Sequence, residues 1–285
     1  GVKVVALFDV NASVKNSVYS LGIKAPFFTS LDDFLGQPLD AVIVAVPPAF
    51  TVSIAEKCAA RGIAMFIEKP LENSLDHAYK IKDTVQRHNV VTAVGYMYPY
   101  RTLVQKVKEI LDSNVLGKLN SFEGSAFVTQ VMKRKKGWRY DKKTAGGGCV
   151  ALHGSHLLSE IYFLLGMPLR VDGKLYFPYS AVEDKAFVTL VYPEMVRGVV
   201  KVSWSEPGYR SLTLGLVITG ENGTLQLNEE TIELNLKSKK KEYFVGRTVI
   251  RREDLSTFPL EIGGEGYAEE LSAFINAVRQ KGKVL

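Results

Sequence analysis

The chain has 285 residues and a mass of 31.5 kDa, long enough for two domains with separate hydrophobic cores. Hydrophobic residues make up 46% of it and charged residues 23%, which excludes a disordered or fibrous protein. No apolar run reaches the ~18–20 residues of a membrane span, and no signal-peptide pattern opens the chain. The two cysteines, Cys58 and Cys149, have no metal-ligand spacing. We therefore expect a cytoplasmic protein with no membrane partner.

The net charge of +6 is concentrated in two basic runs. The first covers residues 133–136 and continues to Arg139, Lys142 and Lys143, and the second covers residues 237–241. Such runs are most often solvated loops, and no nucleic-acid-reading module accompanies them, so we predict no nucleic-acid partner. The first run could instead flank a pocket for an anionic substrate, and the sequence leaves this alternative open.

The first part of the chain alternates apolar strands with helices. The run at residues 2–8 is continuously apolar and β-branched, which predicts a strand buried on both faces. Further buried strands are predicted at residues 41–46, 63–67 and 90–96. Helices are predicted at residues 12–22, 31–35, 50–62 and 73–87. This alternation with short connections predicts an α/β fold with a Rossmann-type, doubly wound parallel sheet.

The pattern changes after Gly117, where long segments alternate apolar and polar residues. Strands are predicted at residues 119–131, 185–192, 197–206, 212–220 and 231–237, and helices at 155–165 and 265–279. These segments predict an α/β domain with a large, open, mostly antiparallel sheet. We place the nucleotide-binding domain at residues 1–117 and the second domain at residues 118–285.

Ligands of an open parallel sheet bind at the carboxyl ends of its strands. Asp9 follows the first strand, where an acid in a dinucleotide-binding fold accepts hydrogen bonds from the adenosine ribose. The companion glycine-rich loop lies about 20 residues earlier in such folds, so we expect a strand and this loop to precede Gly1. The alternative is that Asp9 only stabilises a turn.

The sequence Glu68-Lys69-Pro70 ends the third predicted strand. There the Lys69 ammonium would be partly desolvated and could stabilise charge developing on a substrate hydroxyl. Glu68 could hold Lys69 by an ion pair, and Pro70 could introduce a cis turn. The alternative is an ordinary strand end with surface charges.

A glycine run, residues 146–148, is followed by His153 and His156. Because the two histidines are three residues apart, we expect them to share roughly one helix face. No third ligand stands beside them at ligand spacing, so we predict no metal site. A general base facing a substrate is the preferred interpretation, with a histidine satisfied inside the core as the alternative.

Three motifs in order resemble the Gfo/Idh/MocA family, the group of glucose–fructose oxidoreductase and inositol dehydrogenase. They are Val46-Pro47-Pro48, Glu68-Lys69-Pro70, and the segment that runs from Gly137-Trp138-Arg139 through Gly146-Gly147-Gly148 to Gly154-Ser155-His156. The ordered match extends over nearly the whole chain.

The resemblance implies that Lys69 and His156 are catalytic, with His156 as the general base. It implies a cofactor site made by Asp9, Val46, Pro47, Glu68 and Lys69. It implies a substrate site made by Tyr96, Arg139, His153 and His156. The family activity is hydride transfer between a sugar, polyol or similar hydroxy compound and NAD, with NADP also possible.

The resemblance also implies a homo-oligomer, a dimer or a tetramer, formed through the outer face of the large sheet. Two alternatives stay open: an NAD-dependent glycosidase of the same fold, and a regulatory relative that binds NAD without turnover. Three positions depart from the family pattern: Leu152 stands where members commonly have Asp, Thr51 where they usually have His, and Met97 where many have Arg.

Overall fold

The computed structural model describes residues 1–255, 265–280, 282 and 284. Two parallel sheets come first, and one eight-stranded sheet follows. The predicted fold class, a parallel α/β unit followed by a mostly antiparallel sheet, is confirmed.

The first unit contains two small parallel sheets. One pairs β1 (Leu7–Phe8) with β2 (Phe27–Phe28), and the other has the order β3-β4-β5. The strands of the second sheet are β3 (Ala41–Val44), β4 (Ala64–Ile67) and β5 (Thr92–Val94). The helices are α1 (Lys15–Ser20), α2 (Leu31–Leu35), α3 (Thr51–Ala60) and α4 (Leu75–His88). The predicted inward positions of α3, which are Ile54, Cys58 and Ala59, are all buried.

One prediction for this unit is wrong. The apolar run at residues 2–8 was expected to form a strand buried on both faces, but only Leu7 and Phe8 join a sheet. Val2 is 68% exposed and Val4 is 53% exposed. The physical reason is pairing, because β1 has a single partner strand within the described residues, and that partner is only two residues long.

The second unit is an open eight-stranded sheet in the order β13-β12-β11-β10-β6-β9-β8-β7. Its strands are β6 (Leu119–Phe127), β7 (Arg170–Tyr176), β8 (Lys185–Val191), β9 (Arg197–Ser203), β10 (Thr213–Gly220), β11 (Gly223–Leu227), β12 (Thr231–Leu236) and β13 (Gly246–Arg251). β6 and β9 pair in parallel, while the other neighbours are antiparallel. Strands β7, β11 and β13 were not predicted.

Helices cover one face of this sheet. α5 (Thr102–Asp112) and α7 (Ser155–Leu165) contribute buried side chains to the same core cluster as the sheet, with Phe122 and Trp204 among its largest members. Two short helices, α6 (Lys142–Ala145) and α8 (Arg252–Leu255), complete the unit.

The last helix returns to the first unit. α9 (Glu265–Gln280) places Phe274 against Phe66 of β4, with their ring centroids 5.7 Å apart. Leu271, Ile275 and Val278 pack around the same cluster. The division of the chain at residue 117 stays a prediction, and α9, although it lies beyond that position, covers the β3-β4-β5 sheet.

Among the helices that the structure describes, none combines the length and the apolar character needed to cross a bilayer. The expected cytoplasmic location stays a prediction.

Candidate functional site

The turn after β4 carries the acid–lysine–proline motif. All four residues of β4 are buried, and hydrogen bonds with the last residue of β3 and with the residue that follows β5 hold the end of β4 in place. The backbone N–H of Glu68 donates to the Val44 carbonyl at 2.9 Å, and the N–H of Gly95 donates to the Ile67 carbonyl at 2.8 Å. The Lys69–Pro70 peptide bond is cis, as the sequence suggested. Lys69 therefore leaves the sheet at the edge where ligands of parallel sheets bind.

Lys69 reaches across to the second unit. Its Nζ donates a hydrogen bond to the backbone carbonyl of Leu152 at 3.0 Å. Burial lowers the pKa of Lys69, Glu68 raises it, and Arg139 lowers it further. The expected ion pair is therefore replaced, because the ammonium bonds a carbonyl oxygen while the Glu68 carboxylate acts on it through space. The site thus lies where the two units meet.

The glycine run is required by close backbone approaches. Gly146 has φ +75°, and a Cβ there would lie 2.5 Å from the Cβ of Asn73, just after the lysine motif. A Cβ on Gly148 would collide with the Glu183 backbone. The Glu183 carboxylate accepts hydrogen bonds from the N–H groups of Gly148 at 2.8 Å and Val150 at 3.1 Å. These contacts fix the start of the following helix against both units.

That helix begins with a π-helical turn, Val150–Gly154, which continues directly into α7. Such turns are rare in proteins, and those that occur are often found at functional sites. His153 lies in the turn and its Nε2 is hydrogen-bonded to Oε1 of Gln130 at 2.8 Å. The pKa of His153 is lowered to about 4, first by burial and then by the positive charges of Lys69 and Arg139. His153 is therefore a neutral, anchored ring.

His156 lies in the first turn of α7 and is buried. Its ring centroid is 5.1 Å from that of Tyr98, so it contacts a different neighbour from His153. Burial lowers its pKa to about 3, with further contributions from Lys69 and His153. Within the described residues its buried Nδ1 has no hydrogen-bond partner. A buried nitrogen without a partner is costly, which makes this atom a candidate for a ligand contact or a proton transfer.

The other predicted substrate residues lie near this pair. Tyr96 is hydrogen-bonded to the side chain of Ser155, the residue before His156, and burial raises its pKa. Arg139 is exposed, yet it is close enough to affect the pKa of both Lys69 and His153. The structure therefore brings Lys69, Tyr96, Arg139, His153 and His156 into one neighbourhood.

The predicted cofactor residues lie at strand ends of the first unit. Asp9 directly follows β1, and its Oδ1 accepts a hydrogen bond from the Asn11 N–H at 2.8 Å, so it stabilises a turn as the alternative proposed. Val46 and Pro47 follow β3, and Val46 packs on the core of this unit. No group of three or more His, Cys, Asp or Glu side chains that could hold a metal occurs in the described part of the chain.

Sequence reasoning missed the residues that support the histidines. Gln130 holds His153, and Tyr98 packs on His156 and beneath Arg101, whose guanidinium lies 5.4 Å from the ring. Arg101 forms a 2.7 Å ion pair with Glu229. Glu160, one turn further along α7, is fully buried, and burial raises its pKa to about 8. The only local signal was the aromatic cluster at residues 96–100.

Two family models match this chain. Residues 1–96 match the model described as oxidoreductase family, NAD-binding Rossmann fold, and residues 104–226 match the GFO/IDH/MocA C-terminal domain. The chain belongs to the Gfo/Idh/MocA family. The resemblance drawn from the three sequence motifs is thereby confirmed.

Curated Gfo/Idh/MocA relatives match parts of the chain. Glucose-6-phosphate 3-dehydrogenase of Bacillus subtilis (strain 168) is 27% identical over 201 residues, which are 68% of this chain and 56% of that protein. D-xylose 1-dehydrogenase [NADP(+)] of Haloarcula marismortui is 25% identical over 145 residues, which are 50% of this chain and 40% of that protein. The chain thus spans about half the length of these relatives.

A solved structure of levoglucosan dehydrogenase in complex with NADH and levoglucosan superposes with a TM-score of 0.88 at 20% identity. The match covers 98% of this chain and 82% of that one. At this identity the likeness establishes the fold, which agrees with the sheet order described above.

Proposed function

We propose that this protein is an NAD(P)-dependent oxidoreductase that transfers a hydride between a sugar, polyol or similar hydroxy compound and the nicotinamide. The observation that carries the proposal is the pair formed by a partly buried Lys69 ammonium and a neutral His156, whose Nδ1 has no hydrogen-bond partner among the residues that the structure describes. Family membership and relatives named as dehydrogenases support it.

The residues present fit a dinucleotide. Asp9 places a carboxylate after β1, where it can accept hydrogen bonds from ribose hydroxyls. Val46 and Pro47 after β3, and Glu68 and Lys69 after β4, offer further contacts at the carboxyl ends of parallel strands. A carboxylate at the ribose repels a 2′-phosphate, so NAD is favoured over NADP.

NAD bound by these residues would supply the acceptor for the hydride that leaves the carbon bearing the substrate hydroxyl. Neutral His156 accepts the proton of that hydroxyl. The Lys69 ammonium, held in place by the Leu152 carbonyl, stabilises the negative charge that develops on the oxygen. Tyr96 and Arg139 shape the substrate pocket, and His153, fixed by Gln130, forms part of its wall.

The test is turnover by the protein expressed from its complete gene. We expect NADH to form with at least one member of a broad panel of sugars and polyols, measured by absorbance. Binding of NAD without reduction by any member would overturn the proposal in favour of a regulatory protein. Release of an aglycone without net NADH would overturn it in favour of a glycosidase.

We further propose that the protein is a homo-oligomer formed through the outer face of the large sheet. Tyr176, Phe187 and Val199 are 45%, 44% and 37% exposed on that face, and Tyr176 and Phe187 are in ring contact at 5.7 Å. Exposed apolar patches of this kind favour protein contacts. Sedimentation is expected to give a dimer or tetramer, and Phe187→Glu is expected to shift it toward the monomer. A monomeric unmodified protein would contradict the proposal.

A further inference from the structure

The loop after β6 carries an unbalanced positive charge. Lys133, Arg134, Lys135 and Lys136 follow one another and are all exposed. In the part of the chain that the structure describes, none of these four side chains forms an ion pair with an acid. Uncompensated charges close together repel one another, so this loop favours an anion in its vicinity.

Both ends of this loop are tied to the candidate site. At one end, the Lys135 ammonium donates to the Gln130 carbonyl at 2.6 Å, and the Gln130 side chain holds His153. At the other end, Arg139 acts electrostatically on Lys69 and His153. The loop that carries the four cations therefore begins and ends at residues that contact or act on the candidate site.

The centre of the site does not neutralise this charge. Lys69 is positive, His153 and His156 are neutral, and Leu152 contributes only its carbonyl. Glu68 is the acid that acts on Lys69. Arg139 carries a guanidinium that suits two-pronged contact with a phosphate or a carboxylate, while lysines bind such groups as point charges. The basic loop therefore adds positive charge on the side of the site where Arg139 lies, which favours an anionic group there.

We propose that the substrate carries an anionic group, a phosphate ester or a carboxylate on the sugar. Arg139 and the cations of residues 133–136 bind this group while the reacting hydroxyl faces Lys69 and His156. This inference rests on the proposed function, because it assigns a substrate class to the same site. It requires no further cofactor or residue.

The test compares matched substrates in the protein expressed from its complete gene. Glucose, mannose and galactose are each assayed as the neutral sugar, the 6-phosphate and the uronate, and their binding in the presence of NADH is measured by calorimetry. We expect kcat/KM for one charged form to exceed that for its neutral counterpart by about a hundredfold, since each ~1.4 kcal/mol of interaction is worth tenfold. The better of the two charged forms identifies phosphate or carboxylate.

A matched pair of variants locates the effect. Lys133→Gln with Lys136→Gln is expected to weaken binding of the charged form by about tenfold and leave the neutral form within twofold. Lys239→Gln with Lys240→Gln removes the same charge from the other basic run and is expected to change neither.

The outcomes separate the two proposals. Equal kcat/KM for charged and neutral forms, or no binding of any charged form, overturns the anionic substrate. Binding of a charged form that the loop variant weakens, without turnover of any sugar, supports the anionic site and overturns the oxidoreductase.

Discussion

Replacement of Lys69 with methionine is expected to lower kcat/KM for the substrate by about 10²–10³-fold, the usual effect of removing one donor that stabilises a developing oxyanion. Methionine keeps most of the apolar stem but removes the ammonium that bonds the Leu152 carbonyl. Since that ammonium is partly buried, a water molecule that takes its place in the variant would stabilise the negative charge on the substrate oxygen poorly. Steady-state kinetics with NAD measure the loss.

Lys82 supplies the control, because it is an exposed lysine on α4 of the same unit. Lys82→Met is expected to leave kcat/KM within twofold. Retention of full activity by Lys69→Met, with an unchanged circular dichroism spectrum, would exclude Lys69 from the chemistry.

Substitution of His156 by glutamine is expected to lower kcat by about 10²–10⁴-fold, the range typical of a lost general base. Glutamine is polar and close to the ring in size, but its amide does not accept a proton at neutral pH. Because the pKa of His156 is lowered to about 3, the imidazole of the free protein is already neutral at pH 7 and takes up a proton only in strong acid. The kcat/KM of the unmodified protein is therefore not expected to fall from His156 protonation between about pH 7.5 and pH 5.

His88→Gln is the matched control, since His88 is exposed in the last turn of α4. This substitution is expected to leave kcat unchanged. An acid limb of kcat/KM near pH 6.5 that disappears in His156→Gln would show that the ring titrates normally, against the structure. Activity of His156→Gln equal to that of the unmodified protein would remove the residue from the mechanism.

The fold could be predicted from the sequence where local pattern and tertiary environment agree. α7 begins and ends at the predicted residues, 155 and 165, since Gly166 with φ +78° stops an apolar helix there. Lys69 and His156 could be proposed from the sequence because each stands beside a sequence signal, a strand that ends in charge and a glycine run that opens a helix.

Contacts between distant segments were not predictable. The partner of Lys69 is a backbone carbonyl 83 positions away, which has no signature in residue type. The support of His153 by Gln130 depends on the end of β6 meeting a π-helical turn, and alternation of apolar residues does not reveal such a turn. The prediction of a buried strand at residues 2–8 was wrong for a related reason, since burial of a strand depends on neighbouring strands that its own sequence does not specify.

The return of α9 to the first unit delays the completion of that unit's packing during synthesis. Ala64 and Phe66 of β4 pack against Phe274, so this contact forms only after α9 has been synthesised. Domains usually form from the N-terminus as they emerge, but here β4 completes its packing only when a helix about 200 residues further along has been made. Until then the apolar side chains of Ala64 and Phe66 lack this contact, which raises the risk of aggregation during synthesis and favours chaperone binding in that interval.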